Sequence, residues 1–518
     1  MKRVVPILVM CILVLAAAAY GADKVALTGL VLKHPLTKDV TTMEFMQKMQ
    51  EAAGVTFTWQ QISADWPAKK GTMLASGDVP DIILGINAVI DSDFSQFPGL
   101  FEPLNDWIDK NGPNVQKMFK EKPTTKAIST QLDGKIYGLP KYQRYWPLTV
   151  TRQMINQTWL KKLGLKTPTN WDELFEVLKA FKTRDPNGNG KADEIPMDWA
   201  PGTGFFNALN MLGGYGITLT GGSYDGYYVD NGKVKNFFVD TRYKELVKFL
   251  NKCFAAGYIN PETFTQDYTK FQAVTRNPEA PVVGFTFGWD LTDRFGPQWA
   301  PQYVTMAPMK PNASYKGRVS WDYSYDILNF GANCIVMSAK CKNKPAAMKF
   351  IDQFYDPINS MQVLFGSIGP NIKDNGNGTY SVLPPKDDKM DPGTWKWTSA
   401  LADDGPMYIS DSLKLTLGTD MQALAKIDEP VIPILKLVDP KKDVWPGVFI
   451  KFNADDNNEM ALLRTTLNTL TFSKWSNWVA NGGIDKEWDA YLKDCDKAGM
   501  TQLGTIMQKY YDQYMKAK

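Results

Sequence analysis

The residues Asp185-Pro-Asn-Gly-Asn-Gly-Lys-Ala-Asp-Glu194 place side-chain oxygens at positions one, three, five and nine of a loop, with glycine at six. Calcium takes about six to eight oxygen ligands in loose geometry, and alternation around a sharp glycine turn folds those oxygens inward. Asp185, Asn187, Asn189, the backbone carbonyl of Lys191, Asp193 and Glu194 are therefore candidate metal ligands. The twelfth position departs from the EF-hand pattern, being Pro196 where glutamate is usual, so Glu194 would have to close the shell. Such a Ca2+ would be structural, because every ligand the loop offers is spent on holding it. The competing reading is a solvated turn, since Asn, Asp and Gly dominate turns in general. The similar run from Asp374 to Gly378 is followed by Thr379 and Tyr380, which supply no carboxylate, and it reads as a hairpin turn.

Aromatic residues are the second chemical signal, with 16 Trp, 22 Tyr and 26 Phe. Flat rings offer a π face to the C–H groups of a sugar while polar neighbours take its hydroxyls. Trp159, Trp171, Trp475, Trp478 and Trp488 sit in helical stretches and read as core. Those in irregular segments beside polar residues are the ligand candidates: Arg144, Tyr145 and Trp146; Trp199; Trp289 and Asp290; Trp321, next to Asp322; and Trp397, close to Trp395. Catalysis has little support. The chain has a single histidine, His34, so nucleophile–histidine mechanisms and histidine-rich zinc sites have almost nothing to stand on. Two carboxylates suffice for a glycosidase, which leaves a secreted polysaccharide-degrading enzyme as the alternative to a binding protein.

The elements that position these residues alternate. Val25 to Leu32 is a short apolar run. Val40 to Ala53 carries Phe45, Met46, Met49, Ala52 and Ala53 on one helical face and stops at Gly54. Val55 to Ile62 alternates as a strand does, Asp65 to Ser76 reads as a helix ended by Gly77, and Pro80 to Leu84 as a buried strand. The order predicts an α/β fold with a parallel sheet, whose ligands bind beyond the carboxyl ends of the strands, here Gly85, Ile86 and Asn87. A second unit opens near Arg152, with a helix capped by Thr169 that buries Leu174, Val177, Leu178 and Phe181. Later come strand-like segments at Val282 to Phe287 and Leu328 to Val336, and two terminal helices parted at Gly499.

Lys2 and Arg3 precede an apolar run to Ala19, and Ala19 and Gly21 have the small side chains of a cleavage site. Residues 1–21 thus read as a signal peptide, which places the mature chain in the periplasm or elsewhere outside the cytoplasm. Cys11 follows bulky Met10 inside that run, so lipid anchoring there is the weaker reading. The 58 Lys and Arg against 55 Asp and Glu give no electrostatic footprint for nucleic acid. Beyond Cys11, the four cysteines Cys253, Cys334, Cys341 and Cys495 permit disulfides in an exported chain, with the pairing open.

Several segments, in this order, resemble the extracellular solute-binding proteins (family 1) of ABC importers, in the branch that includes alginate-oligosaccharide and lipoprotein-type binding proteins. They are Leu74-Ala-Ser-Gly-Asp-Val-Pro-Asp-Ile82, Phe101-Glu-Pro-Leu-Asn-Asp-Trp-Ile108, Asp133-Gly-Lys-Ile-Tyr-Gly-Leu-Pro140, Asn156-Gln-Thr-Trp-Leu-Lys-Lys-Leu-Gly-Leu165 and Trp488-Asp-Ala-Tyr-Leu492. The resemblance implies a type II periplasmic-binding-protein fold, two α/β lobes joined by a hinge with the ligand in the cleft. It divides the chain into 22–145 with 320–385, and 146–319 with 386–518, the latter carrying the calcium loop. It implies a monomeric receptor, not an enzyme, that captures a carbohydrate, expected to be an oligosaccharide, and delivers it to ABC importer permease subunits. Trp289 and Trp397 are similar in context to ligand-contacting aromatics of that family. Gly366-Ser-Ile-Gly369 departs from the acidic Gly-Ile-Glu-Gly turn of many relatives.

Overall fold

The computed structural model describes residues 24–202, 204–221, 225–387, 390 and 392–517, so the signal peptide expected at 1–21, with Cys11, lies outside the described residues. The chain divides into two compact units. The first runs to Ile90 and takes in Phe97–Lys141 and Asn333–Lys414; the second comprises Asp91–Gln96, Tyr142–Ala332 and everything from Leu415 onward.

The first unit is built on a six-stranded sheet in the order Met407–Tyr408, Gly138–Tyr142, Phe330–Met337, Ile82–Leu84, Val25–Leu32, Val55–Ile62. Val25–Leu32 pairs in parallel with both Val55–Ile62 and Ile82–Leu84, and Phe330–Met337 runs antiparallel to Ile82–Leu84. Parallel pairing needs helical crossovers, which cover the faces and let strands such as Ile82–Leu84 be apolar throughout. The first crossover is Glu44–Ala53, which buries Phe45, Met46, Met49 and Ala53. It ends at Gly54, whose φ of 68° is a left-handed value and whose N–H returns to the Gln50 and Glu51 carbonyls. Two neighbouring strands, Gly138–Tyr142 and Phe330–Met337, are where the chain passes from one unit to the other.

In the second unit the sheet order is Tyr303–Met306, Arg152–Asn156, Val283–Gly288, Ile195–Met197. The first two pairings are antiparallel and the last parallel. Its core holds Trp159, Trp171, Trp475, Trp478 and Trp488, all buried, as their helical surroundings predict. Two of these lie on Ala454–Asn481, a long helix whose full extent the sequence did not signal. The helix Trp171–Thr183 is capped one residue later than expected: Asn170, not Thr169, accepts the Glu173 N–H through its side chain, while Thr169 donates its N–H and hydroxyl to the Glu173 carboxylate.

The unit boundaries also differ from expectation. Residues 386–414 go with the first unit, because Met407–Tyr408 forms the edge of its sheet beside Gly138–Tyr142. The short helix Asp91–Gln96 goes with the second, where Lys451 places its ammonium 2.8 Å from Asp91. Cys253, Cys334, Cys341 and Cys495 are buried thiols that form no disulfide, and burial pushes the Cys334 thiol up to about 12. Among the described residues no helix is long and apolar enough to cross a membrane.

One buried carboxylate ties distant segments of the first unit together. Asp352 accepts the backbone N–H groups of Asn114 and Val115, at 2.9 and 3.0 Å, in the first turn of Pro113–Glu121, and takes the Asn114 amide at 2.8 Å. Removing one partner strands buried donors at about 1–3 kcal/mol. Asp352→Ala is expected to lower unfolding stability in urea by about that amount; an unchanged midpoint and slope would show that the tie carries no load.

Candidate functional site

Each unit gathers expected site residues at one place. In the first unit they lie where Val25–Leu32 and Ile82–Leu84 end. Gly85 has φ 132°, and a Cβ there would come within 2.5 Å of the Leu32 carbonyl oxygen, so the close approach of the two strand ends requires glycine. Its N–H donates to the Cys334 carbonyl at 2.8 Å, and the Ile86 N–H donates to the Asp404 carbonyl at 2.9 Å. The turn so held presents Asn87 to solvent with φ 58°.

Trp397, on the helix Pro392–Ser399, stacks on His34, which follows the first strand; the ring centroids are 4.4 Å apart and the planes 28° from parallel. Lys396 pairs with Asp403 at 3.0 Å, and buried Lys141 donates to the Asp403 carbonyl at 2.8 Å. Asp404 accepts the His34 backbone N–H. Burial pushes its carboxyl up to about 6, the neighbouring Asp403 adding to the shift while Lys141 and Lys396 oppose it. His34 is held below its ordinary value by burial and by Lys396.

In the second unit the half-buried Trp289 directly follows the strand Val283–Gly288. Trp146 meets it edge to face, the centroids 6.0 Å apart at 77°. The Trp146 segment is set by buried Asn329, whose side chain accepts the Trp146 N–H at 3.2 Å and donates to its carbonyl at 3.4 Å. Beneath Trp289 lies the Arg152 guanidinium, 5.0 Å from the ring centroid, donating to the Trp289 carbonyl at 2.6 Å and forked onto Asp428 at 2.6 and 3.0 Å. Arg144 and Tyr145 are half-buried beside Trp146, the guanidinium 5.4 Å from the tyrosine ring centroid. An edge-to-face indole pair is worth about 0.5–1.5 kcal/mol beyond its buried area, enough to favour one orientation of two half-exposed rings.

Three expectations are corrected. Trp199 is 1% exposed, with Phe264 and Trp475 around its ring, so it is core. Trp321 is 2% exposed and donates its indole N–H to the Thr151 carbonyl at 2.6 Å. Both follow polar loops in the sequence, but their segments turn inward. Asp290 is the N-cap of Leu291–Trp299, accepting the Thr292 and Asp293 N–H groups, so its carboxylate is committed to the helix. Asp322, which follows Trp321, is buried and accepts the backbone N–H groups of Val150 and Thr151. Arg152, Asp428 and the stacking role of His34 were not foreseen. Nothing local marks Arg152 or Asp428, whose pairing spans 276 residues; His34 was visible as the sole histidine, though not its partner.

The 185–194 loop closes on itself. Both Asp185 carboxylate oxygens accept backbone N–H groups, from Gly188 and Gly190, and the Asn187 and Asn189 amides donate to the two oxygens of Asp193. Lys191 turns its ammonium outward to Glu279, leaving its carbonyl to the loop. Glu194 is buried, and its Oε1 has no hydrogen-bond partner. Burial raises its carboxyl, and the nearby Asp193 and Asp185 charges add to the shift. A cation would satisfy the orphaned oxygen and offset the crowded charge, so the donor set fits calcium. Among the described residues no three His, Cys, Asp or Glu side chains converge tightly enough to hold a metal alone, and the asparagine oxygens would have to complete the shell.

Two open grooves, of about 520 Å³ beside Trp66 and Lys69 and about 590 Å³ beside Leu165 and Asp172, include none of the expected residues.

Comparison with known proteins is informative over almost the whole length. The family model described as bacterial extracellular solute-binding protein matches residues 35–359. A fructooligosaccharide ABC transporter substrate-binding protein of Streptococcus pneumoniae serotype 4, FusA, is 31% identical over 96% of this chain and 92% of its own length. Among solved structures, an HMO-binding, ABC-transporter-associated solute-binding protein of Bifidobacterium longum infantis superposes with a TM-score of 0.88 at 32% identity, covering 95% of this chain and 100% of that one. S. pneumoniae FusA in complex with kestose gives 0.83 at 30% identity, covering 95% and 100%; a further structure of it is an EF-hand mutant bound to fructo-nystose. These likenesses also carry the mixed α/β periplasmic-binding-protein fold.

The Asp404 environment yields a pH test. Folded Asp404 keeps its proton up to about pH 6, whereas an unfolded aspartate loses it near about 4. The folded state therefore holds the extra proton between these values, and this group's contribution to stability falls as pH rises through that window. Asp404→Asn should melt higher than the parent at pH 7, with the gap shrinking towards pH 4. A pH-independent gap would place the carboxyl in an ordinary solvated setting.

Proposed function

We propose, from the premise that this chain belongs to the bacterial extracellular solute-binding protein family, that it captures an oligosaccharide and presents it to the permease of an ABC importer. As a member of that family the chain is a receptor and not an enzyme. The observation that carries the sugar reading is the Trp146–Trp289 platform: two indoles, half out of the protein and rigidly seated, at the carboxyl end of a sheet strand. The His34–Trp397 stack with Asn87 nearby gives the first unit a surface of the same chemistry. Indole faces take the apolar faces of sugar rings, and Arg144, Tyr145 and Asn87 offer hydrogen-bonding partners for hydroxyls.

A micromolar dissociation constant corresponds to about 8 kcal/mol, which two or three stacked rings and several hydroxyl hydrogen bonds can supply after ordering costs. The ligand class is supported by FusA, which is described as a fructooligosaccharide receptor and shares nearly the full length of this chain. Calcium belongs to the same reading as a structural ion held by Asp185, Asn187, Asn189, the Lys191 carbonyl, Asp193 and Glu194. It would replace hydrogen bonds inside the loop with metal–oxygen bonds and stiffen the end of the Trp171–Thr183 helix. Export to the outside of the cytoplasm, and docking on permease subunits, follow from the family as part of this proposal.

Two experiments decide it. Kestose and related oligosaccharides should raise the melting temperature of the purified chain without releasing new reducing ends, and Trp289→Ala should weaken binding at least tenfold, about 1.4 kcal/mol, with folding retained. Unaltered affinity in Trp289→Ala, or cleavage of the sugar, would overturn the site or the receptor role respectively. For the metal, chelator should lower the melting temperature of the parent chain but not of the Asp185→Ala, Asn187→Ala double variant; equal responses would refute the calcium loop.

A further inference from the structure

We infer that the buried Arg152–Asp428 pair is the positioning element of the Trp289 platform, so that a carboxylate on the C-terminal segment sets how the sugar-facing indole is held. This rests on the reading of Trp289 as a sugar-contacting residue, and it adds two residues that never meet the ligand.

The geometry is specific. Arg152 opens the strand Arg152–Asn156, which lies between Val283–Gly288 and Tyr303–Met306 in the sheet. On one side its register partner is Gly288, the residue before Trp289. Four donor directions of the guanidinium are taken: Nε and Nη2 go to the two Asp428 oxygens, and Nη1 is shared between the Trp289 carbonyl at 2.6 Å and the Val150 carbonyl at 3.3 Å. The planar fork therefore has one orientation, and in that orientation it lies against the Trp289 ring. Arg152 grips Trp289 twice, by its backbone and by one ring face.

On the other side of the same strand, Thr305 of Tyr303–Met306 donates its hydroxyl to the Ile427 carbonyl at 2.5 Å. Ile427 ends the helix Thr419–Ile427, and Asp428 is its C-cap. The carboxylate that orients Arg152 is thus fixed to the strand flanking Arg152 opposite Trp289. Side-chain exposures of 2% and 3% put the Arg152–Asp428 pair beyond solvent screening. An ion pair that served stability alone would have no need to reach a half-exposed indole. This one sets its guanidinium against the ring of the half-buried Trp289, 5.0 Å from the ring centroid.

The test uses the purified full chain and two readouts. The first is the near-ultraviolet circular dichroism component that both Trp146→Phe and Trp289→Phe abolish, which reports their mutual orientation without any sugar. The second is calorimetric affinity for kestose. Asp428→Asn and Arg152→Lys, which keep size or charge but lose the fork, should remove that component and weaken kestose about tenfold. Thr305→Val, which only loosens the anchor of Asp428, should fold normally and weaken both readouts about two- to threefold. It keeps the test valid if the ion-pair variants do not fold. A full-strength component and parental affinity in Thr305→Val and in any folded ion-pair variant would overturn the inference. Should the parent bind neither kestose nor other neutral oligosaccharides, the sugar reading fails, and the dichroism component alone then upholds or overturns the positioning role.

Discussion

A half-exposed indole must be prevented from collapsing onto the apolar interior that its own surface favours. Burying an aromatic side chain is favourable by roughly 2–3 kcal/mol, so a tryptophan left partly in water stays there only where something specific occupies the alternative. In the second unit that occupant is a cation under the ring, neutralised by a carboxylate it cannot leave. In the first unit an imidazole fills the same place beneath Trp397. The half-exposed aromatic surfaces are consequences of what lies under them.

This constraint explains the placement of the rigid parts. Charged and polar groups are concentrated behind the platforms: Asn329 behind Trp146, Asp322 behind the segment from Thr149 to Thr151, and the Asp198–Arg294 pair, fully buried at 3.2 Å, by which the helix that Asp290 caps is tied to Asp198. Arg294, pushed down to about 10 by burial, still carries its charge at neutral pH. Each such group would be costly to bury alone. Together they form a scaffold in which displacement of one strands another, which is how loops after strands can hold a fixed shape.

Much of this was legible in the chain and some was not. The alternation of apolar runs with amphipathic stripes located the three parallel strands of the first unit's mixed sheet, because the Gly54 and Gly77 stops and the buried face of Glu44–Ala53 are local features, whereas the antiparallel Phe330–Met337 arrives from far along the chain. The helical tryptophans were recognisable as core by the same logic. Trp199 and Trp321 were misjudged, since irregular, polar surroundings do not reveal whether a loop faces inward; that is settled by distant partners such as Trp475 and Thr151. The assignment of residues 386–414 failed for a related reason: the two-residue strand Met407–Tyr408 is too short to show a period, yet its pairing decides which unit owns the segment. The 185–194 loop was recognisable as a candidate cation site because its oxygen donors lie within ten residues of one another. The Arg152–Asp428 pair was invisible because its two halves come from different segments of the second unit, 276 residues apart in sequence.

The most direct measurement of the central claim is a crystal structure of the chain grown with a neutral fructooligosaccharide. The account predicts electron density for a sugar ring lying flat on the face of Trp289 opposite Arg152, with the guanidinium still forked onto Asp428. A sugar bound with Trp289 untouched, or an indole that has left Arg152 to reach it, would contradict the account.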